Sequence, residues 1–141
     1  MGKINSGRVI AGGLLAGLII NVSEFVLNGV VVAKDWEEAM RQLGKPAIDN
    51  SAIAVFLALG FVLGILIVWI YAAIRPRCGA GPKTAVCAAL ITYALAYLYA
   101  GIGQIAIGLF PLKLQLIGLG WGLVELILAS LAGGWLYKEE A

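Results

Sequence analysis

The chain has 141 residues, a length suited to one domain. Apolar residues make up 62% of it and charged residues 13%, against roughly 45–50% and 25% in soluble domains, so a small soluble core cannot absorb the apolar surface and a bilayer is the solvent that fits. A net charge of +2 without a basic patch excludes nucleic acid as a partner, and the absence of histidine excludes histidine metal sites, Ser-His-Asp triads and haem held by a proximal histidine; no cofactor and no metal are expected.

Taken in chain order, the first predicted element is a transmembrane helix over about 9–32. Lys3 and Arg8 precede it as they would a signal peptide. The apolar run is far longer than a signal core of about 7–15 residues, so it reads as a retained span. Gly13, Gly17, Asn21, Glu24 and Asn28 recur along it at a 4-4-3-4 spacing, which puts them on one face of a helix. The loop that follows holds Asp35-Trp36-Glu37-Glu38, an N-cap with an acid three residues on. Trp36, Met40 and Leu43 repeat at helical spacing and Gly44 ends the run. This is either a short amphipathic helix on the outer membrane surface or a solvated connecting helix.

The second span is predicted over about 52–74. It has no charged or amide side chain, and Gly60 and Gly64 interrupt an otherwise apolar lipid-facing or subunit-facing helix. It should stop before Arg75-Pro76, because proline disfavours a helical residue ahead of it. Cys78 and Cys87 are not in a CxxC arrangement and fall on opposite sides of the next boundary, so both read as structural thiols. The segment Gly79-Ala80-Gly81-Pro82-Lys83-Thr84 has the look of a phosphate loop. It fails as one because Pro82 removes a backbone donor and no strand precedes it. Gly81-Pro82 instead opens a third span over about 85–109, with Tyr93, Tyr97, Gly101 and Gln104 on one face. Phe110-Pro111 turns into a fourth span over about 114–137, where Gly118, Gly122, Glu125 and Ala129 share a face. Each span is long enough for a hydrocarbon core of about 30 Å.

The expected architecture is therefore all-α: a polytopic membrane protein of four transmembrane helices in an up-down bundle. Lys3, Arg8, Arg75, Arg77, Lys83 and Lys138 fall on one side of the membrane. The lysines and arginines of the other side are diluted by Asp35, Glu37, Glu38 and Asp49. The positive-inside rule then makes both termini cytoplasmic, and Trp69, Tyr71, Trp135 and Tyr137 form an inner aromatic belt. Spans one and four share a stripe pattern in opposite directions, as an inverted repeat would; spans two and three do not.

The glycines Gly13, Gly17, Gly60, Gly64, Gly118 and Gly122 are expected at helix–helix contacts, where a missing side chain lets backbones approach. The polar residues Asn21, Glu24, Asn28, Gln104 and Glu125 form the candidate intramembrane site. Glu125 has more than ten uncharged residues on either side, which places it near the bilayer centre, where an ionisable group is expensive and marks function by default. Its expected partner is Asn21 or Glu24, with Gln104 nearby.

The stretch Tyr71-Ala-Ala-Ile-Arg-Pro-Arg-Cys-Gly-Ala-Gly-Pro-Lys-Thr-Ala85, with the Asn21/Glu24/Asn28 helix and the Asp35-Trp36-Glu37 loop, resembles small uncharacterised four-helix integral membrane proteins of bacteria. That resemblance implies a multi-pass protein of the bacterial inner membrane and supplies no activity. The architecture is also similar to that of small multidrug-resistance transporters, with Glu24 in the role of their first-helix glutamate; the long external loop and the second acid, Glu125, depart from it. Two functions follow. One is a non-enzymatic oligomeric scaffold or accessory subunit of a membrane complex. The other is a small proton-coupled transporter or channel using Glu24 and Glu125. An enzyme is not expected, since no nucleophile sits beside a base.

Overall fold

The computed structural model describes residues 3–139 and is helical throughout its ordered elements. Four helices are long and apolar enough to cross a membrane: α1 (Ser6–Val31), α3 (Asn50–Cys78), α4 (Pro82–Ala106) and α5 (Leu112–Leu136). A short helix, α2 (Ala33–Gln42), joins the first two. In chain order around the bundle, α1 packs on α3, α3 on α4, α4 on α5, and α5 back on α1. This leaves α1 and α4 on a diagonal.

The ends of the bundle are fixed by specific contacts. At one end, the backbone N–H of Asn5 donates to the Tyr137 hydroxyl at 3.3 Å, that of Gly81 donates to the Tyr71 hydroxyl at 3.2 Å, and Arg75 pairs with Glu139 at 3.7 Å while stacking 5.5 Å from the Tyr137 ring centroid. At the other, Trp36 of α2 meets Phe110 edge to face at 5.2 Å and Lys113 reaches Asp35 at 3.8 Å. Both described chain ends and the turn between α3 and α4 therefore share one end, and α2 caps the other.

Two helix boundaries differ from expectation. Helix α3 runs through Pro76 to Cys78. Proline costs least in a last turn, and Gly79, at φ 82°, closes the helix by donating to the Arg75 carbonyl at 2.8 Å. Helix α2 starts two residues before Asp35, so Asp35 is not its N-cap; it lies in the first turn, where a carboxylate favours the positive end of the helix dipole. Glu38 turns outward instead, where Gln42 and Arg41 donate to it and hold its carboxyl below the usual range. Leu43, at helical spacing from Trp36 and Met40, is 42% exposed, and it is Ala39 that packs against Leu27, Val32 and Leu114. Helix α2 is thus docked onto the bundle end through Trp36 and Ala39.

The core is built on glycine. In lipid there is little hydrophobic drive between apolar helices, so close packing must supply the attraction. A Cβ on Gly13 would lie 2.5 Å from Ile65 Cα, and one on Gly17 would lie 2.7 Å from Phe61 Cα. On the opposing helix, a Cβ on Gly64 would collide with the Gly17 nitrogen and the Gly13 carbonyl. Four of the six expected packing glycines thus form one seam between α1 and α3, with Gly60 making room for the Asn21 side chain. A Cβ on Gly122 would lie 2.6 Å from the Tyr97 ring. Gly118 does not pack as expected: nothing lies within 4 Å of where its Cβ would be, so it faces away from the neighbouring helices while Gln115 and Leu119 of the same stretch meet α4. A second seam went unanticipated. A Cβ on Gly12 of α1 would lie 2.5 Å from the Gly133 carbonyl of α5.

Gly64→Ala is expected to destabilise the bundle by about 1–3 kcal/mol, as overpacking does, while Gly118→Ala leaves it unchanged or slightly stabler through helix propensity. Thermal melting of both variants in mild detergent checks this; equal melting would show that the seam is not tight.

Candidate functional site: two carboxyl groups around one tyrosine

Each polar residue of the expected site makes at least one hydrogen bond, but not as one cluster. Asn21 faces α3, where its Nδ2 donates to the Leu57 carbonyl at 3.1 Å. Gln104 sits near the α2 end of α4 and accepts from Gln115 Nε2 at 2.8 Å. Both are removed from Glu125 and act as interhelical ties. Asn21 is turned away because α1 borders two neighbours, and its turn of the stripe meets Gly60 rather than α5.

Glu24 and Glu125 do converge, through a residue outside the expected set. The Tyr97 hydroxyl lies 3.0 Å from Glu125 Oε1 and 3.3 Å from Glu24 Oε1, so it spans the α1–α4 diagonal and meets α5 as well. Glu125 is 2% exposed, and its Oε2 has no hydrogen-bond partner. Glu24 is half-buried, and its Oε2 accepts from Asn28 Nδ2. Asn28 Oδ1 in turn accepts from Trp36 Nε1 at 2.7 Å. A chain of polar contacts therefore runs from mid-bundle to the capping helix: Glu125, Tyr97, Glu24, Asn28, Trp36. Beside it, Trp121 Nε1 donates to Ser23 Oγ at 2.8 Å and ties α5 to α1.

The backbone is modified at two of these residues. Helix α1 widens into a π turn over Leu27–Val31, with Val32 N–H bonded to the Leu27 carbonyl at 2.9 Å, and this turn carries Asn28. Helix α4 does the same over Ala94–Leu98, which carries Tyr97. Such turns interrupt the regular ladder and recur at functional positions. Tyr97 is positioned from both flanks: Tyr93 stacks on it at 6.0 Å and is itself anchored by donating to the Leu119 carbonyl at 3.0 Å, and Gly122 leaves the space its ring fills.

Tyr97 was legible as a member of the α4 stripe with Tyr93, Gly101 and Gln104, and that stripe does face α5. A phenol midway along a span on the same face as an amide was the available signal. Among the described residues no group of three or more His, Cys, Asp or Glu side chains is placed to hold a metal ion. A cavity of about 280 Å³ between Tyr71, Pro82, Leu131 and Trp135 lies at the opposite end from α2 and has no charged lining. Another of about 190 Å³ lies under α2, lined by Asn28, Trp36, Glu37, Met40 and Ile48 among others.

Comparison with protein families, curated proteins and solved structures finds none that matches this chain.

Tyr97→Phe deletes only the bridging hydroxyl and leaves a buried carboxyl without its partner. A loss of about 1–3 kcal/mol of stability is expected, read as a lower melting temperature in detergent. Melting equal to wild type would show that the tyrosine does not hold the acids.

Proposed function

We propose that this chain is a small proton-translocating membrane protein, a transporter or channel, in which Glu24, Tyr97 and Glu125 hold and pass the proton. One observation carries the reading: a single hydroxyl set between two carboxyl groups within membrane-length helices. A phenol has one proton to donate. If Tyr97 donates to one acid, the other keeps its contact only by being protonated and donating to the phenol oxygen. Glu24 has Asn28 as a further donor and suits the carboxylate form. Glu125 Oε2 accepts no hydrogen bond, and this group suits the neutral acid, because an unpaired buried anion costs far more than an unpaired neutral oxygen. Exchange of the two roles moves one proton between α1 and α5, with Tyr97 unchanged at the end.

A scaffold or accessory subunit, homo-oligomeric or within a larger membrane complex, accounts well for Asn21 and Gln104, which only tie elements together. It also fits the outer face of α3, where Phe56, Leu59, Val62 and Trp69 are exposed, although lipid fits that face equally. It leaves the shared hydroxyl and the unpartnered Glu125 oxygen without a purpose. The transport reading is non-enzymatic and is framed for a bacterial inner membrane with both termini and the 79–81 turn in the cytoplasm, following the lysine and arginine bias.

In liposomes loaded with a pH-sensitive dye, purified protein should acidify the lumen under an imposed potential. Glu125→Gln should fold normally and lower that rate by about tenfold or more, as loss of a proton-transfer group does. Wild-type flux from the glutamine variant overturns the proposal. Orientation is checked separately: in a background without Cys78 and Cys87, Gln42→Cys should react with an impermeant thiol reagent outside the cell and Asn5→Cys should not.

A further inference from the structure

The acid cluster is embedded asymmetrically, and the asymmetry assigns its route to water. Toward the end that holds the termini, Glu125 is followed by close-packed apolar residues: Ala16, Val68, Leu126 and Ala129 are each 0% exposed, and the Gly12–Gly133 seam lies beyond them. The buried hydroxyls on that side, Thr92 and Ser130, donate to the Ala88 and Ala85 carbonyls and make no hydrogen bond to either acid. Toward α2, polar groups continue without a break through Glu24 and Asn28 to Trp36, and the last two line the cavity of about 190 Å³ under α2.

We infer that in this conformation the acids exchange protons with water through the α2 end alone, release to the other side needing a second arrangement of the helices, and that Trp36 is the positioning residue that closes this route by holding Asn28 against Glu24. The direction of the hydrogen bonds decides this role. An amide is no proton carrier here: the Asn28 NH2 donates to Glu24 and its carbonyl accepts from Trp36, so neither group hands a proton onward. Asn28 therefore acts as a stopper over Glu24 Oε2, and the indole N–H of Trp36 fixes its orientation. Trp36 is itself set by the Phe110 edge contact and by the docking of α2. The π turn from Leu27 to Val31 places Asn28 on backbone that lacks the regular ladder, so releasing the amide disrupts less structure than it would in an unbroken helix.

Once Asn28 swings away, water from the cavity reaches the Glu24 carboxylate and delivers a proton to it. Glu24 then gives that proton to the Tyr97 oxygen while Tyr97 gives its own to ionised Glu125. The products are a Glu24 carboxylate, an unchanged phenol and a neutral Glu125. The titratable groups that face Glu125 are Glu24 from α1 and Tyr97 from α4; α3 has no titratable side chain between Asn50 and Ile70. The inference rests on the proton-translocation reading for its purpose, but not for its geometry.

Accessibility tests it without reference to flux. In full-length protein lacking Cys78 and Cys87 and reconstituted in one orientation, Glu24→Cys is exposed to a charged, impermeant thiosulfonate from each side. Reaction is expected from the α2 side only. Adding Trp36→Phe, which keeps the ring against Phe110 but removes the donor, should speed that reaction by about tenfold. Labelling from the opposite side overturns the inference, as does an unchanged rate in the phenylalanine variant. Should Glu24→Cys not assemble, the side from which Asn28→Cys reacts is judged by the same criterion. Access from the α2 side with no proton flux in liposomes leaves the route standing and removes the transport reading; flux with access from the other side does the reverse.

Discussion

Everything in this bundle depends on how closely the backbone of α1 is approached from two sides. On one side the Gly13/Gly17 turns lie against Gly64, and on the other Gly12 lies against Gly133. A Cβ on any of these glycines would collide with the facing helix. Helices held at such distances gain van der Waals contact along their backbones, which is the attraction available where lipid is as apolar as leucine. The closeness also fixes what α1 can present to the interior. With its glycine turns pressed against α3 and α5, the next turns bring Asn21 to the Leu57 carbonyl and Glu24 into reach of the far diagonal.

That geometry sorts the polar residues by how completely they are used. Asn21, Ser130 and Tyr93 each donate a hydrogen bond to a carbonyl of a neighbouring helix, and Gln104 accepts one from Gln115. Glu125 is different. It is as buried as the apolar core, it shares its one partner with another acid, and half of its carboxyl group has none. A membrane interior penalises such an arrangement unless it serves something.

The membrane class, the number of spans and most of their limits were legible in the sequence, because long apolar runs bounded by Gly-Pro and Phe-Pro leave little choice. The stripes were legible too: the Tyr93–Gln104 face of α4 meets α5 as a unit, and four of the six marked glycines form the α1–α3 seam. Which helix each stripe meets was not legible. Periodicity gives a direction around one helix axis but not the neighbour standing in that direction. For that reason Asn21 was expected beside Glu125 when it faces α3, and Gly118 was expected in a contact when it faces away from the neighbouring helices. The π turns were invisible for a related reason, since nothing in Leu-Asn-Gly-Val-Val or Ala-Leu-Ala-Tyr-Leu marks a widened ladder. Pro76 misled because its effect depends on which turn of the helix it occupies.

The widened turn in α4 has a mechanical corollary. Side chains spaced four apart on a regular α-helix advance around the axis by about 40° at each step, so a stripe from Tyr93 through Tyr97 to Gly101 should wind away from its neighbour. The five-residue turn at Ala94–Leu98 takes more residues per circuit and brings the stripe back, so that Gly101 still meets Leu119 and Gln104 still meets Gln115. Helix α4 is in effect two rods joined with a rotational offset, and the offset is stored in the turn that carries Tyr97. Shortening that turn by one residue would rotate the outer rod by about 100° relative to the inner one, taking Gly101 and Gln104 off α5 together. The length of this segment is therefore as much a part of the site as the tyrosine it carries.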